Sequence, residues 1–238
     1  VSTAVLELTD VSKDFRGLRP LRIERLRVSA GECVAIQGVD LAMAEVFVNL
    51  TTGATLPDRG EVRVFGRPTS SIADSADWLT LLDRFGIVSD RAVLLDGLTP
   101  LQNLAVPFTL EIEPLAEAAL SRVRGLAHEA GLIPTDLDKP VATLDAAARA
   151  RVRLGRALAL DPELILLEHP SAAVDRPGSV ALARHVREVA RNRSIALVAL
   201  TADCAFAAEV ADRIVTLDAR SGRLKESRNG WGFGRWLG

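Results

Sequence analysis

Two short stretches carry residue types that could do chemistry. The first is Gly38-Val39-Asp40-Leu41-Ala42-Met43-Ala44-Glu45, which follows the apolar run Val34–Gln37. A phosphate-binding loop has the form G-x-x-x-x-G-K-[ST]. Its glycines let backbone N–H groups wrap the phosphates, its lysine supplies charge and its hydroxyl holds Mg²⁺. Here only Gly38 stands; Met43 replaces the second glycine, Ala44 the lysine and Glu45 the hydroxyl. Charge-assisted contacts are worth about 1.5–3 kcal/mol each, so losing two weakens phosphate binding by orders of magnitude. A carboxylate at a helix N-terminus sits where anions are favoured. Glu45 therefore either fills or repels the anion hole itself, or points to water as an ordinary helix-start glutamate. The second stretch is Glu168-His169-Pro170, at the end of the apolar run Leu164–Leu167. It carries a carboxylate and an imidazole side by side, and His169 has the chemistry of a general base provided there is something to activate.

These residues need strands and helices to hold them. Residues 4–66 read as mostly β: a strand and turn in AVLELTDVSKDF, two strands around Ala30-Gly31, and a further strand in GEVRVFG after Asp58-Arg59-Gly60. Between them Ala44–Thr52 reads as a helix ending at Gly53. Asp74–Phe85 is helical by its apolar spacing, and Gly86–Val88 is a short strand. Residues 99–160 are helix-dominated, with Thr99 or Pro100 opening one segment and Pro114, placed at N1, opening another. Asp145 caps an alanine- and arginine-rich helix. Leu164–Leu167, bounded by Pro162 and Pro170, suits a fully buried parallel strand. A helix over Gly178–Arg193 and strands at Ile195–Leu200 and Arg213–Asp218 complete the alternation. Strands alternating with helices imply a parallel sheet covered on both faces, with a helical insertion near residues 90–158.

The composition excludes several classes. At 238 residues, 48% hydrophobic and 25% charged, the chain is ordinary for one globular unit with a large core. A net charge of −2 gives no basic face for nucleic acid. Cys33 and Cys204 both lie in apolar surroundings and read as buried thiols rather than a disulfide. No signal peptide is expected from the opening residues, and no apolar run approaches the roughly 20 residues that span a bilayer. The expectation is a cytoplasmic protein that reaches a membrane only through a partner.

The segment Pro140–Asp175 resembles the signature-helix-to-Walker-B region of ATP-binding-cassette (ABC) transporter ATPases. It keeps the framework Arg151, Val152, Arg156-Ala157-Leu158, Pro162, Pro170 and Asp175. The resemblance extends from VLELTDVSKDF to about Leu224, through AGECVAIQG, GEVRVFG and LTPLQNLAVPF. It implies an α/β fold: a P-loop NTPase-like cassette with a mostly parallel sheet, helices on both faces, an N-terminal antiparallel part and a helical subdomain. The division it implies is 1–89 with 159–224 as the α/β core, 90–158 as the helical subdomain and 225–238 as an aromatic, glycine-rich tail.

By the same resemblance, Phe15 stands where an aromatic stacks on adenine, and Asp90, or Ser89 one residue earlier, stands at the glutamine loop. Glu168 stands for the Walker B aspartate, His169 for the catalytic glutamate and Ala202 for the switch histidine. The signature LSGGQ has become Leu144-Asp145-Ala146-Ala147-Ala148, which puts a carboxylate and methyl groups where a γ-phosphate should approach. Asp175 and Ser171 remain in the turn after Walker B. These substitutions give the expectation of a degenerate cassette with no catalytic residues, no bound cofactor and no metal. It would act as a structural or regulatory partner of an integral membrane permease, or of a second cassette in a homo- or heterodimer, peripheral at the inner face of the membrane. The alternatives are an active ATPase that uses ATP and Mg²⁺ to drive transport, and a nucleotide sensor that does not hydrolyse.

Overall fold

Strands buried on both faces read as unbroken apolar runs, and alternate side chains must then serve two different cores. Three segments here do so: β3 (Cys33–Gln37), β7 (Leu164–Glu168) and β8 (Ala196–Leu200). A computed structural model describes residues 3–218 and 220–226. On one face of the sheet Val34 and Ile36, Leu164 and Leu166, and Val198 and Leu200 pack with Phe47 and Leu50. On the other, Ala35, Ile165, Leu167, Leu197 and Ala199 pack with Leu104, Leu154, Leu158 and Phe206.

The remaining elements, in chain order, are β1 (Ala4–Lys13), β2 (Leu21–Ser29), α1 (Leu41–Thr51), β4 (Arg59–Val64), β5 (Arg67–Pro68), α2 (Ser75–Leu82), β6 (Phe85–Val88), α3 (Pro100–Ala105), α4 (Glu117–Glu129), α5 (Ala146–Ala157), α6 (Arg176–Asn192), α7 (Cys204–Val210), β9 (Arg213–Asp218) and β10 (Arg223–Glu226). They form a four-stranded sheet, β2-β1-β4-β5, and a six-stranded sheet, β10-β9-β3-β8-β7-β6. The small sheet is antiparallel throughout. In the large one β9, β3, β8, β7 and β6 run parallel, and only the edge strand β10 is antiparallel. This is the α/β cassette architecture expected from the sequence.

The parallel register decides where a site can form. Val88 lies beside Leu167, Glu168 beside Leu200, and Ile36 beside Leu200. The carboxyl ends of β6, β7, β8 and β3 therefore come together, and open α/β sheets bind ligands at that edge. Ser89, His169, Thr201 and Gly38 are the residues that follow these strands.

Several local expectations need correction. The first helix starts at Leu41 rather than Ala44, because the Asp40 carboxylate accepts the Met43 N–H at 2.8 Å and caps it there. The helix expected over Asp74–Phe85 is shorter; Asp74 is its cap, and Phe85 already pairs with Leu164 in the sheet. Pro114 opens no helix. It lies in an irregular turn where Ile112 bridges Leu115, and α4 begins at Glu117. Cys33 is buried as expected, whereas Cys204, the first residue of α7, is exposed. Thr99 does open a helix, with a complete capping box to Gln102. The tail proposed for 225–238 lies outside the described residues beyond Glu226, and Lys225 and Glu226 belong to β10.

Candidate functional site

Gly38 follows β3 with φ +81°, and a Cβ there would stand 2.6 Å from the Leu217 carbonyl oxygen. Packing against β9 therefore requires a glycine whether or not a phosphate binds. The chain then makes a three-residue turn, Gly38-Val39-Asp40, into α1. Gly38, Val39, Asp40, Leu41, Ala42 and Met43 form one wall of an open cleft; His169 and Ala202 form the other. Phe15 is not among the residues lining it. Its ring lies over Gly17 and packs partly on the core beneath the small sheet.

His169 adopts φ +43°, a left-handed conformation in which non-glycine residues concentrate at functional sites. Its backbone N–H donates to the Leu200 carbonyl at 2.8 Å. Its Nε2 atom is buried and has no hydrogen-bond partner. Beside it Glu168 is buried, with 7% of its side chain exposed, and this carboxylate is heavily engaged. Ser89 Oγ donates to Glu168 Oε2 at 2.7 Å, and Arg91 Nε donates to the same oxygen at 3.0 Å. Arg91 Nη2 donates to Glu168 Oε1, and Arg91 Nη1 reaches Glu45 Oε1 at 3.2 Å. The hydrogen bond to Glu168 raises the Arg91 pKa above its ordinary value; partial burial opposes this, and the charges of Glu168 and Glu45 reinforce it.

Glu45 thus neither caps α1 nor points freely to water. Asp40 takes the helix N-terminus, and Glu45, one turn further along, pairs with Arg91. Ala44, at the lysine position, is fully buried. Of the two residues considered for the glutamine loop, Ser89 meets Glu168, while Asp90 turns outward to Arg153 of α5 at 3.0 Å. Arg156 of α5 donates to the Val93 carbonyl at 2.6 Å, so α5 holds this loop at two points. Arg91 was not singled out from the sequence. The available signal was its place after a strand that ends beside Glu168, and only the sheet register shows that proximity.

The other candidates serve their own elements. Asp145 accepts the Ala148 N–H at 2.7 Å and caps α5, with Ala146 and Ala147 in its first turn. Asp175 caps α6 through the Gly178 N–H at 3.0 Å. Ser171 Oγ donates to Asp203 Oδ2 at 2.8 Å, and Ser179 Oγ does so at 2.5 Å. Asp203 also accepts the N–H groups of Ala205 and Phe206, which caps α7 next to Ala202. Burial pushes the Asp203 carboxyl up, but these four donors outweigh it and hold its pKa below the ordinary 3.8.

In P-loop NTPases the P-loop lysine cradles the β- and γ-phosphates, and Mg²⁺ is held by the P-loop hydroxyl and the Walker B aspartate. The residues here do not fit that arrangement. A buried alanine stands for the lysine, and both residues at the metal positions, Glu45 and Glu168, are paired with Arg91. These side chains do not reproduce the family's lysine clamp or its Mg²⁺ ligands.

Comparison with known proteins corrects the functional expectation. No family model matches the chain. It is 28% identical over 228 residues, 95% of its length, to a methionine import ATP-binding protein of Rhizobium etli. It is 26% identical over 217 residues to the protein of that name in Brucella abortus. It spans 62% of the Rhizobium protein's own length and 58% of the Brucella one. Two solved structures share the fold. The dimeric bacterial ABC transporter cassette MJ0796 is 23% identical with TM-score 0.77, covering 93% of this chain and 97% of that one. The cbiO1 protein of Clostridium perfringens is 19% identical with TM-score 0.79, covering 93% and 87%.

The expectation of a degenerate subunit that binds no cofactor and hydrolyses no ATP is overturned by this similarity, which runs along nearly the whole chain to ATP-binding import proteins. The expected absence of ATP and Mg²⁺ falls with it. Among the described residues no helix is long and apolar enough to cross a membrane. The chain has the fold of an ABC-transporter ATP-binding cassette and is homologous to the ATP-binding proteins of import systems.

Proposed function

We propose that the chain is an ATP-binding cassette of an import system, which couples ATP hydrolysis to transport through a membrane permease. What supports this reading is similarity along 95% of the chain to a methionine import ATP-binding protein, on a fold whose strand ends converge on one cleft. The cleft has one wall at the N-terminus of α1, which favours an anion, and the other at His169. We read 1–89 with 159–224 as the α/β body, 90–158 as the helical subdomain and 225–238 as a separate tail. A permease would dock on the helical part, and a second cassette would face the cleft.

The test is ATP turnover by the purified chain with Mg²⁺, alone and reconstituted with a permease. The reading expects turnover that rises when the permease is present. Turnover no higher than in a protein-free blank under both conditions would refute it.

A further inference from the structure

We infer that Arg91 is the resident cation of this site, and that a divalent ion reaches Glu168 only by displacing it. The inference deepens the cassette reading and rests on it for one thing: that Glu45 and Glu168 occupy the two positions from which P-loop NTPases hold Mg²⁺. Both carboxylates here converge on one guanidinium. Arg91 Nη1 lies 3.2 Å from Glu45 Oε1, Nε lies 3.0 Å from Glu168 Oε2, and Nη2 meets Glu168 Oε1. The last two form the bidentate fork that makes arginine–carboxylate pairs strong and directional.

The carboxylate has little left to offer a metal. Glu168 Oε2 already accepts from both Ser89 Oγ and Arg91 Nε, and Oε1 accepts from Arg91 Nη2. Three of its roughly four lone-pair positions are taken, and a divalent ion at the remaining one on Oε1 would stand against the positive charge of the Arg91 guanidinium. The loop bearing Arg91 is itself anchored, through Asp90 to Arg153 at 3.0 Å and through the Val93 carbonyl to Arg156 at 2.6 Å. The guanidinium is thus tethered at high effective concentration, whereas the metal must come from solution. Removing Arg91 takes from Glu45 and from the buried Glu168 the one arginine that each is paired with among the described residues. Asp90 is turned away, and Arg153 is paired with it.

The test is Mn²⁺ binding, followed by the electron paramagnetic resonance of free Mn²⁺ with no nucleotide present. The variants are Arg91→Gln, Arg91→Lys and the double change Arg91→Gln/Glu168→Gln. The expected result is weak Mn²⁺ binding by the native chain and binding at least about tenfold tighter in Arg91→Gln, as loss of one neighbouring positive charge implies. The double variant should lose that gain, which would locate the ion at Glu168. Should Arg91→Gln not fold, Arg91→Lys keeps the charge but not the fork, and a gain of at least about threefold is then expected. Equal Mn²⁺ affinity in native and variant chains, whether tight or absent in both, would overturn the inference. Because no nucleotide is used, that failure would leave the transport reading standing, and a failure of ATP turnover would leave this inference standing.

Discussion

Ser89 Oγ donates to Glu168 Oε2 at 2.7 Å, and so ties the end of β6 to the end of β7. Both residues are buried, at 4% and 8% exposure. A hydrogen bond to a buried charge contributes about 1.5–3 kcal/mol, and leaving the carboxylate short of a donor costs a similar amount. Arg91 remains to share the charge, which places Ser89→Ala near the lower end, a loss of about 1–2 kcal/mol. Urea unfolding of Ser89→Ala, Glu168→Gln and the double variant should give single losses that do not add. Additive losses would mean that the two side chains act independently.

Gly38 carries a conformational demand that no L-residue meets comfortably. Its φ of +81° and the Leu217 carbonyl 2.6 Å from a built Cβ act together. Gly38→Ala should cost more than about 1 kcal/mol, because an incompatible φ alone costs that much and β9 must also yield. A denaturant midpoint unchanged from the native chain would contradict this.

The two thiols should differ sharply in reactivity. Burial, helped by the charge of Asp212, pushes the Cys33 pKa up to about 11, while Cys204 is exposed at the start of α7. Thiolate is the reactive form, so at pH 8 Cys33 is roughly a thousandfold short of full ionisation and also shielded. A disulfide reagent should titrate one thiol quickly in the native chain and the second only on unfolding. Two fast thiols would contradict the placement of Cys33 in β3.

Asp203 predicts a pH dependence. Its folded pKa lies below the ordinary 3.8, so the carboxylate's contribution is fully present above that value and is lost as pH falls through the folded one. Asp203→Asn should therefore be less stable than the native chain at neutral pH. It should also show a shallower fall in stability below about pH 4. Parallel acid limbs in the two chains would show that Asp203 is not the titrating group.

The fold was legible because its signals are local or periodic. Val34–Gln37, Leu164–Leu167 and the run ending at Leu200 are short apolar stretches bounded by turn residues, which suit a strand buried on both faces, and they are β3, β7 and β8. The caps at Asp145 and Thr99 were readable from residue type and spacing alone. The start of α1 lies three residues before the expected Ala44 because Asp40 takes the helix N-terminus from within the preceding turn. Arg91 escaped notice because its partners lie 46 and 77 positions away, brought near only by sheet register.

The most direct measurement is calorimetric titration of the purified chain with ATP in the presence of Mg²⁺, beside an Ala42→Glu variant. Ala42 lines the cleft at the exposed first turn of α1, so a glutamate there leaves the core intact and places negative charge against a phosphate. The account predicts saturable binding at one site per native chain, weakened at least about tenfold in Ala42→Glu by charge repulsion. No saturable binding by the native chain, or equal binding by the variant, would contradict it.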